Sequence, residues 1–124
     1  MDERKIAKPK PHWMGHRDRL RGRLMGRGPN ALDDYELLEV LLFAFIPRRD
    51  VKPVAKALLA RFGSMSGIFA APLEALTEVK GIGATTAAYL KCIEDIHARM
   101  ARETLEAAPI ISNWPTLVGY VTRL

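Results

Sequence analysis

Cysteine is nearly absent: Cys92 is the single one in 124 residues. It has no partner for an internal disulfide and no second thiolate with which to share a metal, which predicts a reducing compartment. Histidine is almost as scarce, with only His12, His16 and His97. His12 and His16 stand four apart and can share a helix face, but Arg17 and Arg19 beside them oppose a bound cation, so no metal site is expected. His97 falls on an apolar helical stripe as a structural residue. Cys92, with no base nearby in sequence, reads as a small buried hydrophobe. No set of nucleophile, base and orienting group can be assembled, so no catalytic residue and no enzymatic activity is expected of this chain. Aromatics make up 7%. Trp13 and Trp114 each stand alone near a terminus, where packing is favoured over stacking on bases. No apolar run approaches the roughly 18 residues that cross a membrane, and the first thirty residues are too basic and interrupted for a secretory signal. A cytoplasmic protein with no membrane partner is expected.

What is present is an ordinary globular balance, 48% apolar and 27% charged, in a length that fits one domain with a modest core. The net charge of +5 is unevenly placed. Residues 1–29 hold nine Lys and Arg against three acids, and residues 30–124 hold ten against eleven. The basic character belongs to the N-terminal arm and first helix, as in a nucleic-acid-facing arm or a solvated tail.

Residues 1–15, with prolines and little apolar content, read as a disordered basic arm. A basic helix follows over about His16 to Met25, with Leu20, Leu24 and Met25 on one face and Arg17, Arg21 and Arg23 on the others. Gly26-Arg27-Gly28-Pro29 stops it. Asp33 or Asp34 caps the next helix, where Asp33, Asp34, Glu36 and Glu39 read as helix start and surface. From Leu37 to Phe45 that helix is apolar nearly all round, which predicts the buried centre. Asp50 reads as the N-cap of a helix from Val51 to Phe62 that Gly63 closes. Ser64 caps a short helix through Phe69, and Pro72 opens another through Val79. The last helix runs from Gly83 to Thr104 or Leu105, with Ala87, Leu90, Ile93, His97 and Met100 on one stripe. Pro109 breaks the chain, and the amphipathic pattern from Trp114 stops at Leu124 without a cap, which predicts a following segment.

The most informative stretch is Leu76 to Leu90. Leu76 and Val79 close one helix, Gly81-Ile82-Gly83 turns the chain, and Thr85, Thr86 and Ala87 open another. Ile82 pins the turn to the core, and Ala87 is small enough for two helices to touch. The first turn of the second helix carries free N–H groups and a partial positive charge, a seat for phosphate. The pattern, over about residues 73–92, resembles the helix-hairpin-helix, a DNA-binding element without sequence specificity. Contacts are expected from Lys80, Gly81, Ile82, Gly83, Ala84, Thr85, Thr86 and Lys91. The alternative is that the glycines only make a tight turn between packed helices.

An offset of 32 residues superimposes Arg48 on Lys80, Ala55 on Ala87 and Leu58 on Leu90. The first copy has Arg49-Asp50-Val51 in place of Gly81-Ile82-Gly83, and β-branched Val51 cannot supply the open hairpin. The expected fold is an all-α, compact bundle of short helices over residues 16–108, a tandem helix-hairpin-helix-like arrangement with the first hairpin degenerate. The first copy then serves as packing partner, while Arg17, Arg21, Arg48, Arg49 and Lys52 can add charge.

Asn30-Ala31-Leu32-Asp33-Asp34-Tyr35-Glu36-Leu37-Leu38-Glu39-Val40-Leu41-Leu42 resembles the "LsD-ELL-LL" signature of the RadC-like proteins, long labelled DNA-repair proteins. Leu58 to Ser64 and Val79 to Gly83 match that family's next two signatures in order, and the resemblance covers roughly residues 16–124. It implies an N-terminal helical domain ahead of a JAB/MPN-type domain, a mixed α/β fold related to zinc-dependent deubiquitinating isopeptidases. That family's His-x-His … Asp metal motif has no counterpart in this sequence. On this resemblance zinc belongs to the following domain, no cofactor is expected here, and residues 109–124 are the lead-in. Two functions remain: a DNA-binding module that delivers the second domain, or a structural or protein-interaction domain that supports it.

Overall fold

The computed structural model describes residues 11–107. Regular structure among them is helical throughout: α1 (His12–Arg27), a 3-10 turn (Pro29–Ala31), α2 (Asp34–Phe45), α3 (Lys52–Phe62), α4 (Met65–Ala70), α5 (Leu73–Thr77) and α6 (Ala84–Ala107). This is the all-α bundle of short helices that the apolar spacing predicts. The lead-in over 109–124 and most of the arm over 1–15 lie outside the described residues. The arm does end sooner than expected, because α1 starts at His12. Pro11 sets an extended N-cap, its carbonyl accepts the Met14 N–H at 3.0 Å, and Trp13 and Met14 are half-buried. A first turn with apolar side chains to bury has reason to form.

α2 is the centre, packed between α1 and α3. Its start is fixed by a capping box in which Glu36 Oε1 accepts the Asp33 N–H at 3.0 Å. This satisfies a donor that the helix cannot. Leu38, Leu42 and Phe43 are buried, and with Leu20, Val54, Leu58, Ile68, Leu76 and Leu90 they form one continuous core. Each such side chain contributes about 2 kcal/mol when fully taken from water. α3 begins one residue later than the spacing suggests. Asp50 Oδ1 accepts the Lys52 N–H at 3.1 Å, but Val51 is the half-in residue, its carbonyl accepting the Ala55 N–H at 2.8 Å. Ser64 caps α4 as expected, its hydroxyl accepting from Gly67 N at 2.9 Å. Pro72 is the N-cap of α5, which ends at Thr77, leaving Val79 in the turn beyond.

The 32-residue offset has a structural counterpart. Val51 O accepts from Ala55 N, and Gly83 O accepts from Ala87 N at 3.0 Å. Ala55 and Ala87 are both fully buried, as are Leu58 and Leu90. α2 packs on α3 and α5 on α6, and the two pairs share the core. They are also tied at the surface by Arg61 Nη2 donating to Glu78 Oε2 at 2.6 Å and by the Phe45 and Tyr89 rings, 5.1 Å between centroids.

Three helical expectations need correcting. Met25 is exposed, since five residues on from buried Leu20 it lies well round the helix from the face that packs on the bundle. Cys92 is exposed, since it lies on the face of α6 opposite Leu90 and Ile93. The apolar stripe of α6 is covered only as far as Ile93. His97 and Met100 are exposed because the helix runs on past the end of the bundle.

Candidate nucleic-acid interface

The turn between α5 and α6 is held from beneath. Ile82 is buried, and its N–H donates to Val79 O at 3.0 Å. Gly81 has φ +96°, a left-handed value that strains any side chain. A Cβ there would also stand 2.8 Å from Val54 Cγ2 on α3. The fold alone therefore requires glycine at 81. Gly83 differs. Its φ is ordinary, and a Cβ added to it would meet nothing within 4 Å. Neither packing nor backbone conformation accounts for the missing side chain at 83, where α6 presents the first-turn N–H groups of Ala84, Thr85 and Thr86 that have no partner four residues back. Gly83, Ala84 and Thr85 are exposed, whereas Thr86 is buried.

A groove of about 360 Å³ runs alongside this turn, lined by Arg49, Asp50 and Pro53 from the first copy and by Lys80 and Gly81 from the second. The loop between α2 and α3 thus brings Arg49 to the groove beside Lys80, and Lys80 and Arg48 are exposed. Lys52 is half-buried at the start of α3. Lys91 is not at the hairpin: its Nζ donates to Phe69 O at 2.9 Å and pairs with Glu94 Oε2 at 3.2 Å, fastening α6 to the end of α4.

Arg17, expected at the surface, is only 5% exposed. Nη1 donates to Pro47 O at 2.9 Å, and Nη2 donates to Ile46 O at 3.1 Å and Arg49 O at 2.9 Å. The guanidinium lies 4.4 Å from the Phe43 ring centroid and 5.1 Å from that of Trp13. It holds the end of α2 and the loop that carries Arg49, and cannot reach a ligand. Burial pushes its pKa below the usual arginine value, with neighbouring Arg21 adding to this and Asp50 opposing it. Arg21 stays at the surface, 3.7 Å from Asp18.

Two acids that read as surface are buried against α1. Arg23 Nη1 donates to Glu36 Oε2 at 2.6 Å, and Nη2 donates to Ala31 O at 2.9 Å. The Arg23 bond, followed by the Asp33 N–H, holds the Glu36 carboxyl below the usual glutamate range against the opposing cost of burial. Glu39 is fully buried, with His16 Nε2 3.3 Å from each carboxylate oxygen, the geometry of one shared N–H. His12 turns instead to Asp50 Oδ2, 3.4 Å away. The two histidines answer different carboxylates, and among the described residues no three His, Cys, Asp or Glu side chains stand together as a metal site would need. A signal for the pairing was available: His16, Leu20 and Arg23 repeat at i, i+4, i+7 on α1, opposite Glu36, Glu39 and Phe43 at i, i+3, i+7 on α2.

Among the described residues, no helix is long and apolar enough to cross a membrane. The chain matches the family described as UPF0758 N-terminal over residues 12–88. That is more than half its length, and the chain belongs to this family, the N-terminal region of the RadC-like proteins. No solved structure matches it.

Proposed function

Taking membership of that family as the premise, we propose that this chain is a DNA-binding module that holds the phosphate backbone at the Gly81-Ile82-Gly83 turn, a helix-hairpin-helix, without reading bases. The observation that supports this most is Gly83: a glycine that the fold does not require, at the N-terminus of a 24-residue helix, is what close approach of a phosphate to backbone N–H groups needs. Lys80 supplies charge from the same turn and Arg49 from across the groove, with Arg48 nearby in the loop. Backbone donors read phosphate and not base edges, so affinity is insensitive to sequence and falls steeply with salt. In this reading the protein is cytoplasmic, binds and does not catalyse, and serves a JAB/MPN-type domain whose zinc chemistry lies outside these residues.

Gly83→Glu is the discriminating variant, because open space around the position leaves the fold intact while a carboxylate repels phosphate. Fluorescence anisotropy with labelled duplex at low salt should show at least about a tenfold loss of affinity for Gly83→Glu, with an unchanged circular dichroism spectrum. Binding that survives in the folded variant would remove the hairpin from the interface.

A second reading rests on α6. Ile96, Met100 and Leu105 are exposed on its outer half, which suits a structural or protein-interaction domain with no DNA binding of its own. Association through that surface would persist at high salt, where phosphate binding fails.

A further inference from the structure

Beside the start of α1 lies a second cleft, of about 270 Å³, lined by His12, Trp13, His16, Arg19, Asp50 and Lys52. We propose that it is a nucleobase-stacking subsite centred on Trp13, so that the DNA held at the hairpin carries an unpaired base next to its bound phosphates. The proposal rests on the hairpin reading above and names its substrate class.

Four observations carry it. The cleft is smaller than the ~300–1,000 Å³ of pockets for drug-sized ligands, a size for one flat ring. The Trp13 indole is half-buried and held in place, with the Arg17 guanidinium 5.1 Å from its ring centroid and Arg17 itself fixed by three carbonyls. An aromatic ring that is already ordered loses little entropy when a base stacks on it. Arg19 and Lys52 put cations on the rim, the combination of aromatic platform and positive groove that binds single strands. Lastly, Asp50 lines both this cleft and the hairpin groove. A strand whose phosphates follow Lys80 and Arg49 therefore reaches Trp13 without leaving the surface.

The polar edge of the cleft is also suited to a base. His12 Nε2 sits 3.4 Å from Asp50 Oδ2, and Asp50 Oδ1 accepts the Lys52 N–H. Each Asp50 oxygen keeps a lone pair beyond these contacts, so this edge presents acceptors to the amino group of an extruded base. The acid of the other pair, Glu39, is sealed behind His16 and repels no phosphate at the surface. A base within a duplex stays stacked on its neighbours, so only an overhang, gap or junction can supply the ring.

The test uses the full chain and two DNAs of equal duplex length: one blunt, one with a short single-stranded overhang containing 2-aminopurine. The overhang DNA should bind about tenfold tighter than the blunt one, and binding should quench the 2-aminopurine. Trp13→Ala should abolish both the preference and the quenching while leaving blunt-duplex affinity within about twofold, and Trp13→Phe should keep most of the preference. In a Trp114→Phe background, where Trp13 is the sole tryptophan, its emission should change with overhang DNA and not with blunt. Equal affinity of the wild-type protein for both DNAs, or an unaltered preference in Trp13→Ala, would overturn the subsite and leave the hairpin standing. An equal loss on both DNAs would reduce Trp13 to a structural residue. Failure of any DNA to bind at low salt would overturn the hairpin reading, and this one with it.

Discussion

Arg17 shows how much one side chain can settle. The carbonyls at the end of α2 have no helical partners, and no glycine closes that helix. One guanidinium fork satisfies three oxygens, those of Ile46, Pro47 and Arg49, and its charge sits favourably at a helix C-terminus. Arg17→Ala removes three charge-assisted bonds and leaves the buried Ile46 oxygen unsatisfied. Urea denaturation should report a loss on the order of 3 kcal/mol. Arg17→Lys, with one compact ammonium for a planar fork, should recover only part of it. An unchanged midpoint for Arg17→Ala would mean that water replaces the guanidinium at little cost. A run of arginines in a basic helix gave no sign of this, since the carbonyls it serves lie about thirty residues away. Glu36 and Glu39 differ, because the matching spacing of His16 and Arg23 on α1 was there to be read, yet a carboxylate is judged exposed until its partner is found. By contrast Ala55, Leu58, Ala87 and Leu90 were legible, because local period alone fixes which face is apolar.

At the scale of elements, α1 is bound to α2 by two polar pairs around Leu20, so its docking depends on charge as well as on area. The Glu36 carboxyl is held below the usual glutamate range by Arg23 and the Asp33 N–H. The unfolded chain thus takes up a proton there at higher pH than the folded one. The resulting stabilisation is fully present above the unfolded-state value and disappears as pH falls through that value to the lower folded one. Thermal denaturation of wild type and Glu36→Gln should therefore differ most at about pH 7 and converge in the acid range below the ordinary glutamate value. A gap that stays constant with pH would assign the effect of the variant to packing alone. The elements themselves were mostly legible from caps and stops such as Asp33, Ser64 and Gly63. The start of α1 was not, because Pro9, Pro11 and the three lysines before Pro11 suggested a loop while Trp13 and Met14 are half-buried.

For the molecule as a whole, the asymmetry lies in α6. Its first three turns are inside the bundle, with Ala87 and Leu90 fully buried, and its last turns stand in solvent with Ile96, Met100 and Leu105 exposed. Stability is then graded along one helix. Amide hydrogen exchange should be slowest around Leu90 and faster by orders of magnitude beyond about Arg99. Uniform protection to Ala107 would show that the outer half is covered in solution. The sequence stripe through Ile93, His97 and Met100 could not reveal this, since a regular apolar period states which face is to be covered but not what is available to cover it.

The contact between Gly81 and Val54 ties the hairpin to the inside of the other helical pair. Val54 is part of the core, yet its Cγ2 occupies the space that a Cβ at residue 81 would need. The shape of the turn is thus set by the volume of a side chain on α3. A bulkier residue there would push the hairpin outward, and a smaller one would let it settle, shifting its N–H groups by tenths of an ångström in either case. In a library selected for altered nucleic-acid affinity, winning substitutions would accordingly gather at Val54 as readily as among the surface cations, and an adaptive change in binding would look, on inspection, like a neutral exchange of one core aliphatic for another.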